Sequence, residues 1–452
     1  MRAYSEYVAT PLPWLSKIPS HWKLVRNKNI FQEVKDTVGA NSSAYPLLSL
    51  TTKGIILRDI ESGKGKFPKD FNTYKVVTSG DMAFCLFDID ETPRTVGLSS
   101  YDGMLTGAYT IFHVNNINPR YVYYYYLALD NVKAMRPLYS GLRKTINVGT
   151  FLGTKLPVPP QNEQDKIVRF LDWKVSTANR IINIKLHEIK LIDALKRSMV
   201  SNAVTHGLNA SVSMKFSGVK WLGDIPEHWE IIKLRQLLHP VSVKNHPELP
   251  LLSVVREQGV IVRDVTDKEA NHNFIPDDLS GYKMVKKGQF AMNKMKAWQG
   301  SYGISDYTGI VSPAYFIFDV SFDNLEYFHY AIRSKVYVNF FAQASDGIRV
   351  GQWDLQMDKM KEIPFIVPPD DEQIAIVEYI KKNLPQYDVA IKKLETEVET
   401  LEEYKAKLIS DVVTGKIDVR DVDIPEYVFV DEDIDSDSDN EDDSDDAEEQ
   451  ED

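Results

Sequence analysis

The chain repeats itself, and this repeat constrains the fold more than any single motif does. The segment WLSKIPSHW, residues 14–22, returns as WLGDIPEHW, residues 221–229. The same landmarks then follow in the same order in both halves. They are PLLSL at 46–50 and PLLSV at 250–254, GIILRD at 54–59 and GVIVRD at 259–264, YK at 74–75 and 282–283, and VPP at 158–160 and 367–369. A chain of 452 residues with this repeat is expected to form two similar domains.

The first part of each copy has the pattern of a mixed domain. Short alternating or β-branched runs occur at 54–57, 74–77 and 109–114, between Gly, Asn and Pro residues, and they predict strands. One helix is expected in each domain, over 121–134 and 325–341. The fold class is therefore α+β, with domains at 1–160 and 207–369.

The second part of each copy is helical. Apolar residues follow a 3,4 spacing from Val168 to Met199 and again from Val377 to Val412, which predicts a coiled coil of helices 161–206 and 370–416. Pro385 is expected to kink the second helix or to mark a later start.

The order of the segments along the chain sets the direction of these helices. The first leaves domain one and ends at domain two, and the second leaves domain two, so a shared seam requires antiparallel helices. We expect the second helix to return to domain one, and a pseudo-two-fold axis to relate the halves. At 1.5 Å per residue, residues 164–204 would form a spacer of about 60 Å with a domain at each end.

The charge is distributed unevenly. The formal net charge is -12, but the run from Asp431 to Asp452 holds 15 acidic residues and no Lys or Arg. The remainder has 53 basic against 50 acidic residues and is mildly basic. A block of like charge stays solvated, so residues 417–452 are expected to form a C-terminal segment with a disordered acidic tail.

The chain lacks the residue patterns of common active sites. Its one cysteine, Cys85, excludes a disulfide framework and a cysteine-based zinc site. We find no G-x-x-x-x-G-K-[ST] loop, no complete G-x-G-x-x-G and no H-E-x-x-H. The residues therefore predict a non-enzymatic chain with no cofactor and no metal of its own. No signal-peptide or membrane-spanning pattern occurs either, which indicates a cytoplasmic protein.

Two similar domains on a fixed spacer suit a ligand that repeats along a line, as the grooves of duplex DNA do. Basic, amide and aromatic residues occur together in the Gly-rich loop NKMKAWQG, residues 293–300. Lys and Arg contact phosphates and guanine, whereas Asn and Gln pair with adenine. The corresponding stretch of copy one, residues 88–97, is rich in acids, so the copies differ where their targets would differ. The predicted DNA-contacting residues are Arg94, Thr95, Arg143, Lys144, Lys283, Lys286, Lys287, Asn293, Lys294, Lys296, Gln299 and Arg349.

The alternative for each loop residue is an ordinary solvated turn. The recurring His-Trp pairs, His21-Trp22 and His228-Trp229, are expected to anchor the chain by burying the indole. The tyrosine run at 123–126, matched to 327–330, is expected to pack in the core.

Taken together, these motifs resemble the DNA-specificity subunits of type I restriction-modification systems. The resemblance rests on SGVKWLGDIPEHW at 217–229, the weaker copy at 13–22, MKAWQG at 295–300, and the helix entrances PVPPQNEQ and VPPDDEQ. It covers nearly the whole chain except the acidic tail. The first copy departs from it by having WLSKIP in place of WLGDIP, which puts that entrance turn in doubt.

The resemblance implies that each domain reads one half of a split, asymmetric DNA sequence. It also implies two adenine methyltransferase subunits and two motor-nuclease restriction subunits as partners, with S-adenosylmethionine, ATP and Mg on those subunits. Two other hypotheses remain open: a coiled-coil scaffold with two protein-binding adaptor domains, and a self-sufficient enzyme. The acidic tail is either inert or competes with DNA for basic faces.

Overall fold

The structure is a computed structural model that describes residues 2–58, 71–141, 143–264, 275–276, 278–349 and 352–431. The chain divides into two compact units. The first unit is Met1–His187 with Leu394–Ile434, and the second contains Glu188–Lys393. Each unit is β-rich and includes part of both long helices, so the predicted α+β class is confirmed.

The first unit begins with strands and ends in a long helix. Its strands are β1 Tyr7–Leu12, β2 Leu15–Pro19, β3 Lys23–Arg26, β4 Phe31–Val34, β5 Leu48–Thr51, β6 Gly54–Leu57, β7 Lys75–Val77, β8 Met82–Phe84, β9 Val96–Leu98, β10 Gly103–Leu105, β11 Thr110–Val114 and β12 Lys155–Val158. Its helices are α1 Pro119–Asn131, α2 Val148–Gly153 and the first part of α3 Gln161–His206.

The second unit repeats this order. Its strands are β13 Met214–Phe216, β14 Asp224–Pro226, β15 Glu230–Lys233, β16 Leu238–Val241, β17 Leu252–Val255, β18 Gly259–Val262, β19 Lys283–Val285, β20 Phe290–Asn293, β21 Tyr302–Ile304, β22 Gly309–Val311, β23 Tyr315–Val320, β24 Ser345–Arg349, β25 Gln352–Leu355 and β26 Pro364–Val367. Its helices are α4 Leu325–Ile332, α5 Lys335–Gln343, α6 Met357–Lys361 and the first part of α7 Asp370–Val413.

The sheet topology shows that the repeat in the sequence is a repeat of the fold. A four-stranded sheet in the order β4-β11-β8-β9 is matched by one in the order β16-β23-β20-β21. The antiparallel pairs also match, β1–β2 with β13–β14, β3–β12 with β15–β26, β5–β6 with β17–β18, and β7–β10 with β19–β22. The strands predicted at 54–57, 74–77 and 109–114 are confirmed as β6, β7 and β11.

Within each unit the long helices α3 and α7 run antiparallel. In the first unit Lys185 of α3 bonds Glu397 of α7, and the earlier Asn179 of α3 bonds the later Lys405. In the second unit Lys196 Nζ lies 2.5 Å from Asp388 Oδ1. The predicted antiparallel pairing is therefore confirmed. Helix α7 begins at Asp370 and includes Pro385, so the proline does not mark a later start.

The end of α7 packs into the core of the first unit. Leu408, Ile409, Val412 and Val413 join the core formed by the first domain, which confirms the predicted return. The helix ends at Val413, and Gly415, two residues later, has a φ of +73° that favours glycine. A Cβ there would lie 2.4 Å from Pro19 Cδ. At the matching end of α3, Gly207 has a φ of +74° and lies against Trp229.

One predicted helix, 325–341, is wrong in extent, because α4 and α5 are separated at Arg333 and Ser334. At this break the Arg333 guanidinium donates to the carbonyls of Tyr302 (2.6 Å) and Glu257 (2.9 Å). The helix is interrupted at Ser334, whose extended backbone (φ -64°, ψ 155°) precedes the start of α5.

The tyrosine-rich helices are core elements, as predicted, but the register of the repeat is different. Tyr121 and Tyr327, both fully buried, occupy equivalent positions: Tyr121 OH donates to Pro157 O (2.9 Å) and Tyr327 OH lies 3.5 Å from Ile366 O. His329 is therefore equivalent to Tyr123.

The C-terminal segment is described as far as Asp431. It follows α7 without regular secondary structure and packs on the first half of α3. The disorder predicted for the acidic tail concerns residues 432–452, which lie outside the described residues.

Candidate nucleic-acid interface

In the second unit, the two candidate DNA-contacting segments lie against each other. The loop 293–300 begins at the end of β20, and β24, which contains Gly347–Arg349, pairs with β25 as a hairpin. The Leu355 N–H donates to Lys294 O (3.2 Å). The rings of Trp298 and Trp353 stack with centroids 5.1 Å apart. These contacts join the loop and the hairpin into one surface.

The first unit brings its own two candidate segments together in the same way. The Asp88 N–H donates to Arg143 O (3.0 Å), and the Ile146 N–H donates to Leu86 O (2.8 Å). Lys144, with a φ of +45°, forms an ion pair with Asp90 at 3.1 Å. Segments that are distant in sequence therefore meet at the same place in both units.

The charge of this surface differs between the units. In the first, Asp90 accepts hydrogen bonds from Arg136 (3.2 Å) and Tyr139 (3.2 Å) and pairs with Lys144. Although its partial burial acts in the opposite direction, these hydrogen bonds hold the pKa of Asp90 below its ordinary value. Asp90 therefore stays ionised and offsets the cations beside it, while Arg143 is exposed.

The second unit presents more cationic charge. Lys286 and Lys287 are exposed in the turn between β19 and β20. Lys294 Nζ lies 3.4 Å from Asp354 Oδ1, while Lys296 and Gln299 are half-buried around the short 3-10 turn Ala297–Gln299. Arg349 ends β24, and its side chain lies outside the described part of the structure.

Two of the candidate residues are buried and bonded within the protein. Thr95 is 1% exposed, and its hydroxyl donates to Asp130 Oδ1 at 2.6 Å. Asn293 is 3% exposed, and its Oδ1 accepts from the Met295 N–H at 3.0 Å. These contacts hold the shape of the two loops.

Arg94 and Lys283 also have internal partners. Arg94 donates to Asn131 Oδ1 (2.8 Å) and to Thr52 O (3.3 Å), in the turn between β5 and β6. In the second unit Arg333 supports the equivalent turn. Lys283 Nζ donates to Tyr315 O at 2.7 Å, and the equivalent Lys75 donates to Tyr109 O at the same distance. Burial and the neighbouring Lys244 and Lys294 lower the pKa of Lys283.

The β24–β25 hairpin and the stacking of Trp298 on Trp353 were not predicted from the sequence. The sequence signal for the hairpin is the length of the connection between the Gly-x-Arg segment and the next helix. This connection is residues 144–147 in the first copy and the longer 350–356 in the second. The longer connection extends the pairing into β25, which carries Trp353, whereas the first copy has an isolated antiparallel bridge, Ser140–Thr145, at the matching place.

The recurring His-Trp pairs are structural anchors, as predicted. Trp22 Nε1 donates to Glu163 Oε1 (2.9 Å), and Trp229 Nε1 donates to Glu372 Oε2 (3.0 Å). Both glutamates stand in the first turn of a long helix, so each anchor ties a domain entrance to the start of α3 or α7.

Among the described residues, no cluster of three or more His, Cys, Asp or Glu side chains is arranged to hold a metal ion. No helix in that part of the chain is both long enough and apolar enough to cross a membrane.

Comparisons with known proteins agree with this architecture. The family model described as the type I restriction modification DNA specificity domain matches residues 89–191. The putative type I restriction enzyme MjaX specificity subunit of Methanocaldococcus jannaschii is 23% identical over 434 residues, covering 90% of this chain and 96% of that protein. The MjaVIII specificity subunit of the same organism is 25% identical over 292 residues, covering 60% of this chain and 64% of that protein.

The fold has a relative among solved structures. A chain from a study of complex assembly and conformational transition of the type I R-M system superposes with a TM-score of 0.56 at 13% identity. The match covers 88% of this chain and 99% of that chain.

The family-model match and the curated relatives identify a specificity subunit, a non-catalytic component of a type I restriction-modification complex. The chain belongs to the DNA-specificity subunits of type I restriction-modification systems.

Proposed function

We propose that the chain reads a bipartite, asymmetric DNA site, with one half read by each unit. One observation supports this proposal: in each unit the two segments that vary between the copies contact each other, and they do so at equivalent places on the repeated scaffold. A shared scaffold gives both domains the same way of docking, while differing loops give them different sequence preferences.

Within the proposed interface, the residues that contact DNA are Arg349 and the exposed or half-buried residues Arg143, Lys144, Lys286, Lys287, Lys294, Lys296 and Gln299. Thr95, Asn293, Arg94 and Lys283 act indirectly, because their polar groups bond within the protein and hold the loops in place.

The partners follow from the same proposal. The chain works in the cytoplasm on double-stranded DNA and directs two adenine methyltransferase subunits and two restriction subunits. S-adenosylmethionine, ATP and Mg bind those subunits and not this chain. Helices α3 and α7 serve as the spacer that connects the two recognition domains.

Exchange of one domain tests this proposal. Residues 1–160 are replaced by the equivalent domain of a specificity subunit with a different target, and methylated adenines are mapped across the genome of cells that also express the methyltransferase. We expect one half of the methylated sequence to change and the other to persist. Replacing residues 207–369 should change the opposite half. If the methylated sequence were unaltered after both exchanges, the proposal that each domain recognises one half of the site would be wrong.

A further inference from the structure

The C-terminal segment contacts α3 through its backbone. The residues Tyr427–Asp431, here called the strap, run along the first half of α3. Ser176 Oγ donates to Val428 O and accepts from the Val430 N–H, both at 2.9 Å. Asn179 Nδ2 donates to Val430 O at 3.0 Å, and Asn183 Nδ2 donates to Asp431 O at 3.0 Å. All four strap atoms belong to the main chain.

The three α3 residues Ser176, Asn179 and Asn183, here called the seat, lie on one face of the helix because their spacing is three and four. Ser176 is 2% exposed and Asn179 is 4% exposed. Buried polar side chains on a helix need hydrogen-bond partners, and the strap backbone supplies them. The seat therefore acts on an extended peptide as the neighbouring strand of a sheet would.

One side chain of the strap adds a specific contact. The Arg120 guanidinium lies 4.5 Å from the centre of the Phe429 ring. Its position is fixed by Asp172, whose Oδ1 is 2.5 Å from Arg120 Nε. A cation over an aromatic face favours an aromatic residue between the two backbone-bonded valines.

The second copy of the repeat has no equivalent seat. With Glu163 and Glu372 in register, the equivalent positions on α7 are Pro385, Asp388 and Lys392. Proline cannot donate, and Asp388 pairs with Lys196. The seat is therefore not a requirement of the paired helices; it occurs only where the C-terminal segment docks.

We propose that this face of α3 is a peptide-binding site for an extended segment with an aromatic residue followed by acids, and that the chain's own strap is its resident ligand. An open groove of about 530 Å³ beside the strap, bounded by Trp173, Ile181 and Tyr427, leaves room around the bound backbone. Because Asn183 donates to the carbonyl of Asp431, the site also fixes the position of the last described residue.

The test uses the full chain with the strap released. Val430→Pro removes the N–H that Ser176 accepts, at a position outside any helix or strand. A fluorescent peptide of residues 424–433 should bind this variant at least tenfold more tightly than it binds the wild-type chain, since the tethered strap competes at high effective concentration. Fluorescence anisotropy measures both affinities.

Two controls separate a site from non-specific adhesion. A peptide N-methylated at Val430 should lose at least tenfold in affinity, although its side chains are unchanged. The same loss is expected when Ser176→Ala and Asn179→Ala are added to the Val430→Pro chain. In the wild-type chain, amide exchange at Val430 should be slower than in the Ser176→Ala variant. Equal peptide binding by the released and wild-type chains, or full binding of the N-methylated peptide, would overturn the proposal.

Discussion

The two units share a scaffold but differ in how tightly they anchor it. Glu163 of the first unit accepts from Trp22 Nε1 and Tyr4 OH and lies 2.8 Å from His21 Nε2, and its side chain is 3% exposed. Glu372 of the second unit is bonded only to His228 and Trp229 among the described contacts, and its side chain is 35% exposed. The same anchor is therefore a buried network in one unit and a partly solvated one in the other.

At the candidate interface, the second unit has the more extensive contacts, whereas at the anchor the first unit has them. The first unit pairs Lys144 of its second loop with Asp90, whereas the second extends the matching bridge into the β24–β25 hairpin and stacks Trp353 of that hairpin on Trp298. The repeat is thus conservative where each domain meets its helix and divergent where the two variable segments meet. Under the proposed function, one duplicated frame therefore carries two distinct recognition surfaces.

The largest expected effect tests the difference in anchoring. Glu163→Ala leaves buried Tyr4 and Trp22 donors without an acceptor and should destabilise the first unit by about 3–4 kcal/mol. Glu372→Ala should cost the second unit about 1–2 kcal/mol, because it leaves one buried donor, Trp229, without an acceptor, while water can reach the other, His228. Urea unfolding, with hydrogen exchange followed separately in each unit, measures both losses.

Glu163→Gln is the matched control for this pair. It retains a side-chain oxygen that accepts a hydrogen bond and should lose less stability than the alanine variant. Equal losses for Glu163→Ala and Glu372→Ala would show that burial does not distinguish the two anchors.

A smaller effect should distinguish the units in acid. Burial and the nearby Arg333 lower the pKa of His329 to about 4, and its Nδ1 accepts from the Ile304 N–H at 3.2 Å. The folded state therefore favours neutral His329, and an unfolded chain with a pKa near 6.5 takes up the proton first. Stability should fall as the pH drops from about 6.5 towards 4, by about 2–3 kcal/mol from this residue.

The first unit has Tyr123 at the equivalent position, so it lacks this source of acid sensitivity. His329→Gln in the second unit keeps a hydrogen-bond acceptor but cannot titrate. Unfolding at pH 7 and at pH 4.5 should therefore show a smaller pH effect in the variant than in the wild type. The same pH dependence in both chains would remove His329 as its cause.

The sequence predicted the features that depend on periodicity and chain order. The duplicated domains, the antiparallel helices and the return of α7 follow from repeated landmarks and from the 3,4 spacing of apolar residues. The internal partners of Lys283 and Arg94 could not be predicted, because they are carbonyls brought close only by the tertiary fold. The break between α4 and α5 could not be predicted either, because the 3,4 spacing of apolar residues does not report the extended backbone at Ser334.

The candidate interface was predicted only in part for a related reason. Residue type identified cationic loops, but burial decides which of their polar groups face outward, and Thr95 and Asn293 face inward. The hairpin depends on a pairing between residues on either side of a short turn in the longer connection of the second copy. Its signal in the sequence was a difference in length, not a motif.

The smallest effect would sharpen the contrast between the two surfaces. Trp353→Ala removes the ring that stacks on Trp298 and should loosen the hairpin against the loop 293–300, at a cost of about 1 kcal/mol. Binding of the assembled complex to its DNA site should weaken about fivefold, a factor of the same order as that energy. Only discrimination at the half-site read by the second unit should change, because the first unit has no such pair.

Trp353→Phe is the control, since it retains an aromatic ring for the stack and should bind close to the wild-type level. Competition binding with oligonucleotides altered in one half-site at a time measures the discrimination at each half. If Trp353→Ala reduced discrimination equally at both halves, the hairpin would stabilise the protein generally and would not set the sequence preference of its own unit. A loss confined to one half would place the divergence of the repeat in the hairpin itself, where the second copy is longer than the first.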